Sequence, residues 1–186
     1  MLRALRITFV TILVFITVQG GIVIGDQSWQ HDVEDMVSQF LSCQTPIDDQ
    51  SPCNYFLGRS LKRVYGITDF DDGSGGFLSA NAIATYVQLN TDKWTSLGPA
   101  KSQDALTQAA GYANQMKAIV AVQVGTPHGH VALVLPGDLK HSGNWNLDAP
   151  NSASFFLNKP QQSYVGKPLS FAFQMPDGVT IYGRNY

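Results

Sequence analysis

Several features that often announce a function are scarce in this chain. Two cysteines in 186 residues allow at most one disulfide, which excludes a disulfide scaffold. Charged residues are only 14% of the chain, the formal net charge is −2 and Lys and Arg never form a run. Phosphate backbones are held mainly by clustered cations, so nucleic acid is excluded as an expected partner. The 17 glycines and 9 prolines follow no period and no internal repeat is visible, which removes collagen-like, low-complexity and solenoid architectures. What is present is a 44% apolar composition on a length that supports one sizeable core, the profile of a single globular domain.

The first 25 residues read as a segment to be removed rather than folded. Arg3 and Arg6 precede the apolar stretch ITFVTILVFITV, and small residues follow at Gly20, Gly21 and Gly25. Cationic start, short apolar middle and small-residue exit are the three parts of a secretory signal peptide, with cleavage expected after Gly20 or Gly25. The competing reading is a retained anchor, since the stretch from Ile7 to Ile24 is about long enough to span a bilayer at ~1.5 Å per residue. Loss of the two arginines takes the formal charge from −2 to about −4. The expectation is a secreted, mildly acidic domain over residues 26–186, without stable membrane association after cleavage.

Along that domain, helical signals come first. Trp29, Val33, Met36, Val37, Phe40 and Leu41 form an amphipathic stripe over residues 26–41, with Ser28 as a possible cap. A second helix is predicted over residues 53–66, opened by Cys53 and closed by Gly66. After the turn-rich DFDDGSGG loop, helices are predicted over 79–89 and 102–115. The second half carries short β-branched or apolar runs at 118–124, 130–135, 153–157, 169–173 and 179–182, which read as strands. Helices followed by consecutive antiparallel strands describe an α+β fold.

The residue patterns suggest nucleophilic chemistry. A cysteine in the first turn of a helix lies where unpaired N–H groups and the helix dipole favour the thiolate. Cys53 has that predicted place, and His130, preceded by Gly129 at the mouth of a strand, is the candidate base. A cysteine at a helix start facing a histidine on a neighbouring strand is the thiol-protease arrangement. Asp148 and Asn151, ahead of Asn146, are the candidates to orient the imidazole. The Cys53 backbone N–H would receive the oxyanion.

Other readings of the same residues compete. In an exported protein Cys43 and Cys53 could pair, and composition alone favours that disulfide. His128 and His130 could be surface groups or two metal ligands, but no third ligand stands at a recognisable spacing, so no metal is expected. The acids of DFDDGSGG look calcium-like, yet the closing bidentate Glu of a twelve-residue calcium loop is missing.

Taken in order, PCNYFLGRSLKRVYGI, SANAIATYVQLNTDKWTSLG, QAAGYANQMKAIVAV and GHVALVLPG resemble peptidoglycan amidases of the NlpC/P60 and CHAP-like cysteine hydrolase superfamily. The resemblance is closest to the amidase effectors of type VI secretion and their domesticated, secreted animal homologues. It runs from about Ser51 to Pro136, with looser similarity in the strands to Tyr182. It implies a papain-like or NlpC/P60-like α+β fold, with Cys53 of C-N-Y-F as nucleophile and His130 of G-H-V-A as base. Effectors injected by that system need no cleavable signal; the one read here fits a domesticated homologue or a secreted wall hydrolase.

The resulting expectation is a monomeric, cofactor-free cysteine amidase that hydrolyses amide bonds in peptidoglycan stems or crosslinks. Arg59, Lys62 or Lys93 would anchor the carboxylates of the stem peptide. The alternatives are a non-catalytic secreted binding protein with a Cys43–Cys53 disulfide, and a cysteine peptidase or acyl transferase acting on proteins.

Overall fold

The computed structural model describes residues 28–41 and 55–186. The proposed signal segment, Cys43 and Cys53 lie outside them. Helix α1, Ser28–Ser38, runs into a 3-10 turn at Gln39–Leu41, in line with the apolar stripe read over 26–41. Helix α2, Phe56–Tyr65, ends at Gly66, whose φ of 66° is left-handed and whose N–H bonds the carbonyls of Leu61 and Lys62. Helices α3, Ala80–Leu89, and α4, Gln103–Ala113, each start behind a serine. The Ser79 and Ser102 hydroxyls accept from the N–H groups of Ala82 and Ala105.

Among the described residues eight strands follow or interleave: β1 Trp94–Pro99, β2 Ile119–Gln123, β3 His130–Val134, β4 Lys140–Ser142, β5 Leu147–Ala149, β6 Asn151–Ser154, β7 Tyr164–Pro168 and β8 Val179–Arg184. Six of them form one sheet in the order β1-β8-β2-β3-β6-β7, with every pairing antiparallel; β4 and β5 form a separate hairpin. The fold is therefore α+β, as the order of patterns implied.

Both faces of the sheet are covered, which explains why the central strands are apolar without alternation. Val120, Val122, Leu133 and Leu135 face a core shared with Val33 and Val37 of α1, Leu57 and Leu61 of α2, and Ile83 and Val87 of α3. Their neighbours Ile119, Ala121, Ala132 and Val134 pack on the other face against Leu106, Ala109 and Ala113 of α4, with Trp145 and Phe173. Adjacent residues of β2 and β3 thus belong to different cores, as the two-residue period of a strand requires.

Two strand readings need correction, and one strand was not read from the sequence. Residues 94–99 form an edge strand in spite of Gly98 and Pro99. The pairing with β8 shifts register between Ser96 and Gly98, and Gly98 at φ +120° carries the irregularity. Residues 169–173 are not a strand: Leu169–Phe171 is a 3-10 turn, and the strand is the preceding Tyr164–Pro168. Leu169, Ala172 and Phe173 are buried and Phe171 is exposed, a spacing of helical type that the short run disguised. The strand read at 153–157 instead occupies Asn151–Ser154.

The DFDDGSGG loop is held by the protein itself. Asp72 Oδ1 accepts from the Ser74 and Gly76 N–H groups at 2.8 and 2.9 Å, and Asp71 pairs with Lys62 at 3.0 Å. Asp69 accepts from the Trp94 indole at 3.0 Å and from Arg184 Nε at 2.6 Å. Trp94 is fully buried and stacks on Phe70 with 5.2 Å between centroids. One carboxylate therefore ties the loop after α2 to β1 and β8. Asp69→Ala leaves a shielded guanidinium and an indole N–H without their acceptor, and is expected to cost about 3 kcal/mol in urea unfolding. A loss below about 1 kcal/mol would show that the carboxylate is not a structural tie.

Candidate functional site

His130 is the first residue of β3, paired with Gln123 across the β2–β3 hairpin. Its ring is stacked on Phe156 with centroids 4.8 Å apart and is met edge-on by Phe173 at 5.3 Å. The two aromatic walls remove water, and burial lowers the imidazole from its usual 6.5 to about 4. The group is therefore neutral at physiological pH, with one nitrogen free to accept a proton.

The hydrogen bonds of Ser154 indicate which nitrogen that is. Its hydroxyl lies 2.8 Å from His130 Nε2 and 3.1 Å from the Val131 carbonyl oxygen. A carbonyl only accepts and the hydroxyl has one proton. Both contacts are hydrogen bonds together only if the hydroxyl donates to Val131 and Nε2–H donates to Ser154. That tautomer leaves the Nδ1 lone pair unprotonated.

The imidazole opens on a groove of about 940 Å³. One wall is the start of α2, at Tyr55 and Phe56, and a second is the start of α3, at Ser79 and Ala80; the chain at 155–159 and 170–174 closes the opposite side. Gly58 keeps the α2 wall close to its neighbour, since a Cβ there would stand 2.2 Å from Phe77 Cδ1. Among the described residues the lining includes one lysine, Lys159, and no carboxylate.

The residues expected to orient His130 are engaged elsewhere. Asp148, on β5, lies 3.1 Å from His141 Nδ1 on the neighbouring strand of the exposed hairpin. Asn151 is buried and donates to Glu34 Oε1 at 2.9 Å and to the Pro136 carbonyl at 2.8 Å. Its own carbonyl receives the Leu135 N–H, placing it beside the far end of β3, about 16 Å from His130 at ~3.3 Å per residue. Asn146, at φ 53°, is a turn residue of the β4–β5 hairpin. The proposed anchors are also committed. Lys62 binds Asp71, Lys93 donates to the Tyr86 hydroxyl at 3.3 Å, and Arg59 is buried in α2. His128 is on the groove wall beside His130, and no group of three or more metal-ligating side chains occurs among the described residues.

Ser154 was missed as a functional residue. Its one sequence signal is the pair Ser152 and Ser154 on either side of Ala153; all three are buried in β6, where hydroxyls need partners inside the sheet. Neither a scan against protein-family models nor a search of curated proteins gives a match for the chain. No helix among the described residues is long and apolar enough to cross a membrane.

Two outcomes follow for His130. Its NMR titration midpoint is expected near 4. Because the unfolded chain binds this proton from about 6.5 downward, folding stability should fall as pH drops from about 6.5 to about 4, by on the order of 3 kcal/mol. A midpoint at or above 6.5 would contradict the burial argument. In Ser154→Ala the nitrogen shifts of His130 should change from the Nε2–H tautomer to a mixture; an unchanged pattern would mean that the hydroxyl does not set the tautomer.

Proposed function

We propose that the protein is a cysteine amidase of peptidoglycan, with Cys53 as nucleophile and His130 as general base. The observation that carries the reading is a neutral imidazole, held through Nε2, opening on a groove whose other wall begins at Tyr55, two positions after Cys53. The papain-like or NlpC/P60-like arrangement belongs to the same proposal, as do secretion by the signal at residues 1–25 and action on the bacterial wall outside the producing cell.

The chemistry runs in two halves. The Cys53 sulfur attacks the amide carbon as its proton passes to His130 Nδ1. A neutral imidazole can take the thiol proton in the same step, so no charge need be held beforehand. The imidazolium gives that proton to the leaving amine, and a thioester remains. Water then attacks the acyl carbon, losing a proton to Nδ1, and the thiol is restored as the carboxylic acid departs. Throughout, Ser154 and the Phe156 face hold the ring, so the same nitrogen takes and gives the proton in both halves. A groove that carries Lys159 and the amides of Asn144, Asn158, Gln162 and Gln174, with no carboxylate among its described residues, suits the carboxylate-bearing peptide of a wall stem.

Mass spectrometry of purified peptidoglycan after digestion tests the reading. The protein should release muropeptides in which one stem or crosslink amide has taken up water. Cys53→Ala and His130→Ala should each lower the release by about 10³-fold or more. Undiminished release by Cys53→Ala, or two cysteines that resist alkylation in the native protein, would overturn it; the second result would favour a disulfide-bonded binding protein.

A further inference from the structure

The turn that delivers His130 is clamped from a different element. Asn81, in the first turn of α3, donates from Nδ2 to the Gly125 carbonyl at 2.9 Å and accepts at Oδ1 from the Gly125 N–H at 3.2 Å. A side-chain amide thus reads both backbone groups of one residue across 44 positions of sequence. The same Oδ1 lies against Gly129, where a Cβ would come within 2.3 Å of it and within 2.5 Å of the Gln123 carbonyl oxygen. Gly125 is equally confined, with a Cβ position 2.6 Å from the His128 carbonyl oxygen. Both ends of the 125–129 turn are therefore pressed on one amide, and the next residue along the chain is His130.

We propose that Asn81 is a positioning residue for His130, acting through the 125–129 turn and not by touching the imidazole or the substrate. The inference rests on the reading of His130 as the base. Its physical content is an angular restraint. The Ser154 hydroxyl holds one ring nitrogen and the Phe156 face holds the plane, but both contacts act on the end of a side chain whose Cα sits at the very start of β3. A strand end frays unless something outside the ladder holds it. Gln123, opposite His130, is the last residue of β2, so the sheet supplies no further rung there. The Asn81 amide is the fixed point on the far side of that last rung. It is itself held in α3, whose start is capped by Ser79 and whose Ile83 and Val87 are buried in the core. Gly125 and Gly129 are the residues that let the turn approach the amide closely enough to be held.

The test uses the whole protein and reads position without needing turnover. In Asn81→Ala the imidazole should gain water, and its NMR midpoint should rise by about one unit or more towards 6.5. With a wall substrate, kcat should fall about tenfold or more and by a larger factor than KM rises, because the walls at 55–58, 155–159 and 170–174 do not depend on the turn. Asn81→Ser, well tolerated in a first helical turn, provides the same reading if the alanine variant folds poorly. Asn81→Gln, which keeps the amide on a longer arm, should recover part of the rate. If either folded variant leaves the midpoint and kcat unchanged, the clamp is not what positions the histidine. If the midpoint moves while the unmodified protein releases no muropeptide, the clamp stands and the amidase reading falls.

Discussion

The pairing of β2 with β3, in register from Ile119 opposite Val134 to Gln123 opposite His130, is the contact on which the rest of the molecule is built. Eight of its ten residues alternate between two cores, so a slip of one position would exchange the side chains of both faces at once. The small Ala121 and Ala132 lie directly opposite one another on the α4 side, while the larger Val120 and Leu133 pair on the side of α1, α2 and α3. This difference in volume fits the closely packed alanines of α4 and argues against the slipped register on packing grounds alone. The register also fixes the end of the hairpin, and with it the height at which the imidazole emerges.

How that imidazole is held has a chemical consequence. A carboxylate beside Nε2 would stabilise the imidazolium and raise its pKa, whereas the Ser154 hydroxyl fixes orientation without adding charge. Burial between Phe156 and Phe173 then acts unopposed, and the ring is held as a neutral base. Asp148 and Asn151 illustrate why the orienting group could not be chosen by proximity in sequence. Both are close to Ser154 along the chain, but one sits on a solvent-facing hairpin and the other at the opposite end of the shared strand pair. The length of a strand is enough to separate them from the site.

Most of the α+β plan was legible because strong local signals agreed with the tertiary demand. The serine caps of α3 and α4, Gly66 after α2 and the apolar runs of β2 and β3 each mark their element unaided. Where the signal failed, tertiary structure had replaced it. β1 is a strand because β8 offers it a partner, in spite of its glycine and proline. The run after Pro168 turns because the edge strand ends there, and its phenylalanines divide between core and solvent. Of the expected site, the place of His130 at a strand mouth was readable from Gly129 and the strand pattern. Its partners were not, because Ser154, Phe156 and Asn81 meet it, or the turn before it, only through long-range pairing.

The sheet order gives β8 an unusual position. It lies between β1 and β2, although it is the last of the described strands to be made. Until residues 179–184 arrive, β1 has no neighbour, β2 has an open edge, and Asp69 has no guanidinium to bind. A polypeptide emerging in order from a ribosome would therefore keep its sheet unclosed until its final stretch is free. Closing the sheet therefore depends on pairing residues 94–99 with 179–184, a contact distant in sequence and so of the kind that forms late.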